Sequence, residues 1–438
     1  MALLLVLALL LCAGPAARGL LPRSPASSVR GMKLRATISP APHAEGQLSD
    51  SSQRLKLGVL LLNLGGPEAT QDVEGFLYNL FADPDIIRLP PLLAFLQKPL
   101  AFVIAKRRAP KSSAAYASIG GGSPIVKYTE AQARLLESAL ADRGYDARCY
   151  FAMRYWHPFT EEALAEVQRD GVNSLVVVPL YPQYSISTSG SSLRVLQEIF
   201  QSQPGLWSSD RVAHTVVPAW YYRKGYVSAM ARLIVRELEG FTAAQAAEGV
   251  HVLFSAHGVP QSYIAAGDPY QRQIEECVRL VSREVSELLL RDGIDTTLSR
   301  ELRHALARGE QAVRFHLSFQ SRVGPVQWLQ PYTEEKLREL GEDLGVRNLV
   351  VVPVSFVSEH IETLEEIDME YREVAEHHGI KNWRRVPALN TDSFFIADLA
   401  EMVEEALTAP SLSVYEATPI NSNDLVRSQG YYVAVTQN

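Results

Sequence analysis

The sequence predicts an α/β protein made of two similar, doubly wound (Rossmann-like) domains with parallel sheets, and three observations lead to this prediction. Residues 57–64 (LGVLLLNL) and 250–256 (VHVLFSA) are continuous apolar runs, the pattern of parallel strands that are buried on both faces. Residues 174–179 (SLVVVP) and 348–353 (NLVVVP) are two further runs that read almost alike. A chain of 438 residues is also too long for one ordinary hydrophobic core.

The chain is expected to divide into four parts. These are a targeting leader at 1–53, an N-terminal α/β domain at 54–240, a C-terminal α/β domain at 241–408 and a tail at 409–438. Residues 128–142, 160–169 and 269–291 have the apolar spacing of amphipathic helices. Residues 292–313 are interpreted as a polar, helix-like insertion before a strand at 313–319, and the Ser, Pro and Asn content of the tail predicts loose packing. In doubly wound folds ligands bind beyond the carboxyl ends of the strands, so we expect the site in the cleft between the domains.

The first part of the chain has the composition of a targeting leader. Residues 2–12 form an apolar run that is too short to span a bilayer, and small residues follow it, as in a signal peptide. Residues 18–44 are rich in Arg, Ser, Ala and Pro and contain no acid, as in an organellar transit peptide. A bipartite leader of this kind predicts import into a plastid. A mitochondrial presequence, or a secreted protein with a disordered linker, remains an alternative.

Charge and cysteine content exclude several classes of protein. The formal net charge is −7, and because all the basic residues before residue 45 belong to the acid-free leader, the remainder is more acidic still. A body of this charge, without a basic tract, argues against nucleic acid as a partner. The chain has three cysteines and no C-x-x-C pair, which excludes a disulfide framework and a four-cysteine metal or cluster site.

Residues 86–105 (IIRLPPLLAFLQKPLAFVIA), which we call the lip, form an apolar stretch that contains three prolines and is followed at once by Lys106, Arg107 and Arg108. The prolines exclude a membrane-spanning helix. A hydrophobic surface with a cationic border suits contact with one leaflet of a membrane, or the rim of a pocket for a large, flat, apolar anion. Buried core beside a solvated basic turn is the alternative.

A glycine-rich loop and a histidine stand where a ligand would be bound. Tyr116–Pro124 (YASIGGGSP) places three glycines before a helix and can present backbone N–H groups to an anion. Because the loop lacks the residues of a P-loop and the spacing of a dinucleotide fingerprint, a carboxylate is the better candidate. His257 ends a predicted strand, where it can serve as a base or metal ligand, although a lone histidine is more often structural.

Three acidic residues, Glu362, Glu366 and Glu370, are spaced four residues apart, and the first stands two residues after His360. We call them the acidic row. On a helix they line one face, where like charges repel. Such repulsion is tolerable in solvent, near a helix N-terminus, or where the acids handle cations or protons. A solvated acidic face is the alternative interpretation, but the row begins directly after a predicted strand, where sites form.

Seven collinear segments resemble the ferrochelatase family. They are 62–67 (LNLGGP), 119–124 (IGGGSP) with Tyr116, 154–158 (RYWHP), 181–185 (YPQYS), 255–257 (SAH), 320–325 (QSRVGP) with Trp328, and 357–364 (VSEHIETL). The resemblance covers roughly residues 55–408 and is strongest to the plant and cyanobacterial branch. It implies a chelatase-like fold and a lyase that inserts Fe²⁺ into protoporphyrin IX to give protohaem and two protons, the last step of haem b biosynthesis.

The resemblance also implies a role for each matching position. His257, Glu362 and Glu366 would be the catalytic residues, with His257 facing the pyrrole nitrogens. The substrate Fe²⁺ would be held transiently by His257 and Glu362, with Glu366 and Glu370 continuing an acidic path for metal or protons. The porphyrin-binding residues would be Leu64, Leu89, Leu92, Leu93, Arg107, Arg108, Tyr116, Ser123, Arg154, Tyr155, Tyr184, Trp328 and Phe356.

Two departures from family patterns bear on cofactors and membrane contact. Animal ferrochelatases carry a [2Fe-2S] cluster on one cysteine near the pocket and three near the C-terminus, whereas this chain has Ile186 at the first position and no cysteine at 409–438. We therefore expect no cluster and no required cofactor. Many plant and cyanobacterial members end in a light-harvesting-like membrane helix, but no long apolar run follows residue 408, so we expect peripheral membrane contact through the lip.

Two other functions remain as alternatives. Cobalt or nickel chelatases act on precorrin-type rings with about eight carboxylates, which would require many more basic contacts. A non-catalytic haem carrier needs an axial ligand but no acidic row. The oligomeric state is not fixed by the sequence, and a homodimer is left open.

Overall fold

The computed structural model describes residues 55–87, 89–291, 300, 313–324, 326–408 and 412–415, and the backbone of Leu425–Ser428 and Tyr431–Ala434. The predicted leader lies outside the described residues, and so does nearly all of the predicted insertion at 292–313. The chain from Leu55 onward forms one compact unit. We call residues 55–240 its first half and residues 241–408 its second half.

Two four-stranded parallel sheets form the framework of the described chain. Their strands are β1 (Leu57–Asn63), β2 (Ala147–Met153), β3 (Ser174–Pro179), β4 (Ala213–Val216), β5 (Val250–His257), β6 (Val313–Gln320), β7 (Asn348–Pro353) and β8 (Asn382–Arg385). The strand order is β2-β1-β3-β4 in the first sheet and β6-β5-β7-β8 in the second, with every neighbouring pair parallel. Both halves thus have the same topology, which confirms the predicted fold class.

The central strands explain the apolar runs of the sequence. Every residue of β1 and β7 is buried, since each strand has a neighbour on both sides and helices over both faces. Edge strands are shorter or partly exposed, as in β2, whose burial alternates. The carboxyl ends of β5 and β7, which lie side by side, bring residues 257 and 354–360 to one edge of the second sheet.

Helices cover both sheets. The α-helices are Val73–Ala82, Gln97–Ser118, Ile125–Asp142, Thr160–Arg169, Ser191–Ser202, Pro204–Trp207, Lys224–Leu238, Ala243–Ala247, Gln261–Ala265, Tyr270–Leu290, Thr333–Arg338, Tyr371–His377 and Ser393–Thr408. Narrower 3₁₀ turns occur at Thr70–Asp72 and Pro91–Leu96, and wider π-helical turns at Ile186–Gly190, Glu339–Asp343 and Glu362–Glu370. The helices predicted at 128–142, 160–169 and 269–291 are confirmed.

The lip is a 3₁₀ turn followed by the first part of helix Gln97–Ser118. Alanines at positions 101, 105 and 109 of this helix are buried against helix Val73–Ala82, because small residues at i, i+4 spacing allow close packing. The opposite side is apolar but open: Leu92 is 89% exposed, Phe95 74% and Phe102 51%. The lip is therefore not buried core. Within the described residues, no helix is long and apolar enough to cross a membrane.

Helices near the boundary at residue 240 contact both halves. The last helix, Ser393–Thr408, packs against Ile125–Asp142 of the first half and against Lys224–Leu238, which itself packs on Tyr270–Leu290 of the second half. Arg143 Nη1 pairs with Glu404 Oε2 at 2.9 Å across one of these contacts. The division at residue 240 therefore remains a prediction.

Part of the tail is packed. Leu412 and Val414 are 6% and 0% exposed, and the backbone N–H of Val216 in β4 donates to the Leu412 carbonyl at 2.8 Å. The prediction of a loose tail is therefore wrong for residues 412–415, where two alternating apolar side chains cover the end of an edge strand. Further on, Leu425–Ser428 and Tyr431–Ala434 pair as antiparallel strands.

Candidate active site

His257 is the last residue of β5 and is held on both sides of its backbone. Its N–H donates to Ser355 Oγ at 3.0 Å, and its carbonyl accepts from the Tyr270 hydroxyl at 2.8 Å. Because strand and neighbours fix the backbone, the ring leaves the sheet in a defined direction. The rings of Trp328 and Phe356 stand edge-on to it, with centroids 6.4 and 6.2 Å away. The structure thus places three predicted site residues together.

The imidazole of His257 is paired with the carboxylate of Glu362. The two atoms, Nδ1 and Oε2, are 2.8 Å apart, although the residues are far apart in sequence. Burial alone would lower the pKa of His257, but the Glu362 charge outweighs it and raises that pKa. Burial alone would raise the pKa of Glu362, but the His257 charge and hydrogen bond lower it. The imidazole of His257 therefore binds a proton more tightly than a free histidine does, and the Glu362 carboxylate beside it stays ionised.

Glu366 lies one helical turn further on and is connected to Glu362 through a serine. Ser321 Oγ donates to Glu366 Oε2 at 2.7 Å and lies 3.4 Å from Glu362 Oε2. Gln320 Nε2 and the Tyr371 hydroxyl also donate to Glu366, at 3.2 and 2.9 Å. Burial, together with the nearby Glu362 charge, raises the pKa of Glu366 to about 7. This carboxyl can therefore take up and release a proton near neutral pH.

The acidic row lies on a π-helix, Glu362–Glu370, rather than on the regular α-helix implied by its spacing. π-Helical turns are rare and occur frequently at functional sites. The row runs from the buried pair outward: Glu370 is half-exposed, and its carboxylate lies 4.0 Å from Lys111 Nζ, in the part of helix Gln97–Ser118 beyond the lip. This outward direction is consistent with the prediction that the three carboxylates share one face of the helix. Only Glu362 and Glu366, however, approach His257.

The structure adds His360, which the sequence-based list of site residues omits. Its Nδ1 lies 3.0 Å from the Ser358 carbonyl, which fixes the proton on that nitrogen. Its Nε2 is buried and has no hydrogen-bond partner within the described part of the chain. Burial lowers the pKa of His360, so the ring is neutral. A neutral, unpaired imidazole nitrogen beside Glu362 is a second candidate base or metal donor, which its position after β7 could have indicated.

First-half residues close the other side of the site. Tyr116 is buried in a cluster with Leu64 and is packed near Ile361 of the second half. Burial raises the pKa of the Tyr116 hydroxyl, and the charge of Glu362 adds to this effect. The phenol therefore stays protonated within electrostatic range of Glu362. The predicted location of the site between the two halves is supported by these contacts.

The glycine-rich loop is anchored tightly to the body. Ser123 N–H donates to the Pro67 carbonyl at 2.7 Å. A Cβ on Gly122 would stand 2.0 Å from the Glu68 carbonyl oxygen, so only glycine fits there. Arg107 and Arg108 are exposed on the helix that precedes this loop, and the guanidinium of Arg108 lies over Phe81. The loop and the arginines are thus neighbours in sequence on one rigid helix–loop unit.

The other predicted pocket residues vary in accessibility. Leu89 and Leu93 are half-buried on the lip beside the exposed Leu92. Tyr155 and Tyr184 are 1% and 2% exposed, so they offer a ligand little surface as the molecule stands. Arg154 Nη2 is paired with Asp83 Oδ2 at 2.7 Å, and the Arg154 guanidinium stacks on Tyr155. No sequence pattern singles out Asp83, which lies in an ordinary polar turn.

No group of three or more His, Cys, Asp or Glu side chains is arranged as a metal site in the ranges that the structure describes. His257 and Glu362 are hydrogen-bonded directly to each other. Cys149 and Cys277 are both free, and Cys277 is fully buried.

Comparison with known proteins decides the family. The family model described as "Ferrochelatase" matches residues 56–407, which is most of the chain. The chain belongs to the ferrochelatase family. The match includes both sheets and every residue of the site described above, so the predicted resemblance and the chelatase-like fold are confirmed.

Curated ferrochelatases of plants and cyanobacteria are similar along most of this chain. "Ferrochelatase-2, chloroplastic" of Arabidopsis thaliana is 54% identical over 371 residues, 84% of this chain and 66% of that protein. The protein of the same name from Oryza sativa subsp. indica is 55% identical over 80% of this chain and 62% of its own length. The "Ferrochelatase" of Nostoc punctiforme is 53% identical over 83% of this chain and 85% of that protein. The chain thus spans about two thirds of the length of the plant relatives.

Among solved structures, "SirB from Bacillus subtilis with Fe3+" aligns with a TM-score of 0.43 at 11% identity, over 80% of this chain and 95% of that chain. An alignment with this TM-score and identity gives no information about the chemistry of the present chain.

Proposed function

We propose that this chain inserts Fe²⁺ into protoporphyrin IX, giving protohaem and releasing two protons. The observation that supports it most is the His257–Glu362 pair at 2.8 Å, which adjoins the Ser321–Glu366 contact at the meeting of the two halves. Metal insertion requires two pyrrole N–H protons to leave. It therefore needs a base that removes each proton and a second group that accepts the proton from that base. Both are present, and the relatives named above are ferrochelatases.

Proton removal starts at His257. The imidazole accepts a pyrrole proton, and the Glu362 carboxylate stabilises the imidazolium that forms. Ser321, which contacts Glu362 and Glu366, provides a hydroxyl route for the proton to Glu366, whose raised pKa of about 7 suits a reversible acceptor. Transfer along this route returns His257 to its neutral form, ready for the second proton.

Binding of the macrocycle is assigned to the lip and the rings beside His257. Leu89, Leu92 and Leu93 present an apolar surface to the ring, while Trp328 and Phe356 flank the base. The porphyrin carboxylates go to Arg107, Arg108, Tyr116 and Ser123, and Leu64, Arg154, Tyr155 and Tyr184 complete the wall. An apolar slot that binds a distorted ring exposes its inward-facing nitrogens, because contacts at the ring edge offset the strain at its centre.

Fe²⁺ is a substrate in this proposal, and no resident cofactor and no [2Fe-2S] cluster are required. His257 and Glu362 hold the incoming metal transiently, and Glu366 and the half-exposed Glu370 form the path from solvent. A non-catalytic haem carrier would have no use for this path, and a chelatase for rings with about eight carboxylates would need more basic contacts.

The setting of the reaction is also proposed. The chloroplastic names of the plant relatives support a plastid location, reached through the leader at 1–53, with a mitochondrion as the alternative. The exposed apolar side chains of the lip support peripheral contact with a membrane. A homodimer remains open, and the acidic composition argues against nucleic acid as a partner.

Metal insertion by the purified protein tests the function. Fe²⁺ under anaerobic conditions, or Zn²⁺ as a convenient substitute, should be inserted into protoporphyrin IX at a rate proportional to protein concentration. The change in porphyrin fluorescence and absorbance follows the reaction. An octacarboxylate porphyrin serves as the comparison substrate and should react far more slowly. Porphyrin binding without metal insertion would instead support a carrier.

A further inference from the structure

A buried carboxylate stands at the root of the lip. Asp83 directly follows helix Val73–Ala82, and its side chain is 0% exposed. Its Oδ2 accepts hydrogen bonds from Arg154 Nη2 at 2.7 Å, the Tyr155 hydroxyl at 2.7 Å and Ser191 Oγ at 2.6 Å. Three donors on one oxygen, two from the segment after β2 and one from helix Ser191–Ser202, hold this turn firmly.

The other oxygen of Asp83 links it to Asp85 and to a second arginine, Arg194, which also pairs with Glu198 at 3.0 Å. Oδ1 accepts from the Asp85 N–H at 2.8 Å and from Arg194 Nη2 at 3.1 Å. The same Arg194 nitrogen lies 2.8 Å from Asp85 Oδ2. Burial opposes the charge on Asp83, but the Arg154 guanidinium and the hydrogen bonds outweigh it and keep the pKa of Asp83 below its ordinary value. The carboxylate is therefore ionised at neutral pH, and its buried charge is compensated.

The same turn is also fastened to the second half. The Tyr263 hydroxyl donates to the Asp85 carbonyl at 2.6 Å. Tyr263 lies on the short helix Gln261–Ala265, which follows the loop after His257, and its side chain is buried. Asp83 and Asp85, just before the lip, thus make two different contacts. Asp83 contacts the wall of the first half, and Asp85 contacts the segment that follows His257.

We propose that Asp83 is a positioning residue for porphyrin binding: it fixes the root of the lip against Arg154 and Tyr155, while Asp85 ties that root to Tyr263. This inference rests on the function proposed above and deepens it. A lip whose root is already fixed binds the macrocycle without an ordering cost, and it holds the ring at a set distance from His257. The role belongs to binding rather than to proton transfer, so it predicts a change in KM.

The test compares two buried aspartates. Asp83→Asn keeps the shape of the side chain but removes the negative charge that pairs with Arg154 and Arg194. It should raise the KM and the Kd for porphyrin by about tenfold, while kcat changes much less. Asp398→Asn is the matched control, since Asp398 is also buried and pairs with Arg223 at 3.1 Å, but on the last helix, away from the lip. It should lower thermal stability as Asp83→Asn does, with KM unchanged. Kd is read from porphyrin fluorescence, independently of turnover.

A gentler variant covers the case in which Asp83→Asn does not fold. Tyr263→Phe removes one hydroxyl from a buried ring and should raise the KM for porphyrin severalfold. The proposal is overturned if Asp83→Asn, or Tyr263→Phe in its place, leaves KM and Kd at the wild-type values, because the cluster would then be merely structural. If the wild-type protein binds porphyrin but inserts no metal, the proposed function fails, whereas a weakened Kd in Asp83→Asn would still support the positioning role.

Discussion

At the residue scale, Glu366 is a carboxyl group of the site whose pKa is raised by its surroundings. It is surrounded by Ser321, Gln320 and Tyr371, all of which donate hydrogen bonds to it. These donors favour the charged form, yet burial and the neighbouring Glu362 charge dominate and raise the pKa of Glu366 to about 7. Its folded-state pKa therefore lies above the ordinary value of 4.5, which makes folding stability depend on pH.

The sign of that dependence gives a prediction for Glu366→Gln. Because the folded state binds this proton more tightly than the unfolded state, the stabilisation is complete below about pH 4.5 and is lost as pH rises through about 7. The neutral amide cannot ionise. Relative to wild type, Glu366→Gln should therefore gain on the order of 2–3 kcal/mol of unfolding free energy between pH 5 and pH 8.

Urea denaturation at the two pH values measures this difference. Glu376→Gln is the control, since Glu376 is an exposed carboxylate on the helix that follows the acidic row. Equal pH dependence in wild type and Glu366→Gln would show that the carboxyl titrates normally. The same variant should also slow metal insertion, since it removes the proton acceptor that Ser321 contacts.

Single residues also show where sequence reasoning ends. His257 and Glu362 could each be predicted, because both follow buried strands at the edge where sites form. The family resemblance implies that the two act together, but their direct 2.8 Å contact could not be predicted, since it depends on how β5 and a helix beyond β7 are oriented. Asp83 gave no signal at all: its importance comes from donors far away in sequence, and an acid in a polar turn is usually solvated.

At the element scale, the lip combines a buried alanine face with an open apolar face. Phe95 and Phe102 are 74% and 51% exposed, so neither contributes much to the core. Lys106, whose ammonium lies over Phe102, and Arg107 supply positive charge beside them. This arrangement fits a surface that inserts shallowly among lipid headgroups.

Vesicle binding tests that interpretation. Phe95→Ser and Phe102→Ser should each weaken binding to anionic phospholipid vesicles by about tenfold or more, because each removes apolar area that enters the bilayer. Thermal stability should stay near the wild-type value. Leu206→Ser is the control, since Leu206 is 44% exposed on a short helix away from the lip. Unchanged vesicle binding by both lip variants would mean that the lip serves the porphyrin alone.

The elements differ in how far the sequence could predict them. Central strands were predictable because burial on both faces leaves a continuous apolar run, and amphipathic helices because burial on one face leaves a periodic pattern. The π-helix at Glu362–Glu370 was not, since its apolar spacing is close to that of an α-helix. The packing of residues 412–415 against β4 was also missed, because two apolar residues in a polar stretch give a weak signal.

At the scale of the whole molecule, two sheets of the same strand order provide different parts of one site. The second half contributes His257, Glu362 and Glu366, to which we assign proton transfer in the proposed function, whereas the first half contributes the lip and Tyr116. Gln132 joins them, since its buried Nε2 donates to Ser358 Oγ at 3.1 Å and to the Asn390 carbonyl at 2.8 Å. Chemistry and binding should therefore be separable by mutation.

Metal insertion and porphyrin binding by His257→Ala test this account most directly. The variant lacks the base but keeps the lip and the ring-binding wall, so its rate of Fe²⁺ or Zn²⁺ insertion should fall by about 100-fold or more. Its Kd for protoporphyrin, read from fluorescence, should stay within about threefold of wild type, since the change removes no contact of the lip. Insertion at a near-normal rate by a variant that binds porphyrin normally would contradict the assignment of His257 as the base.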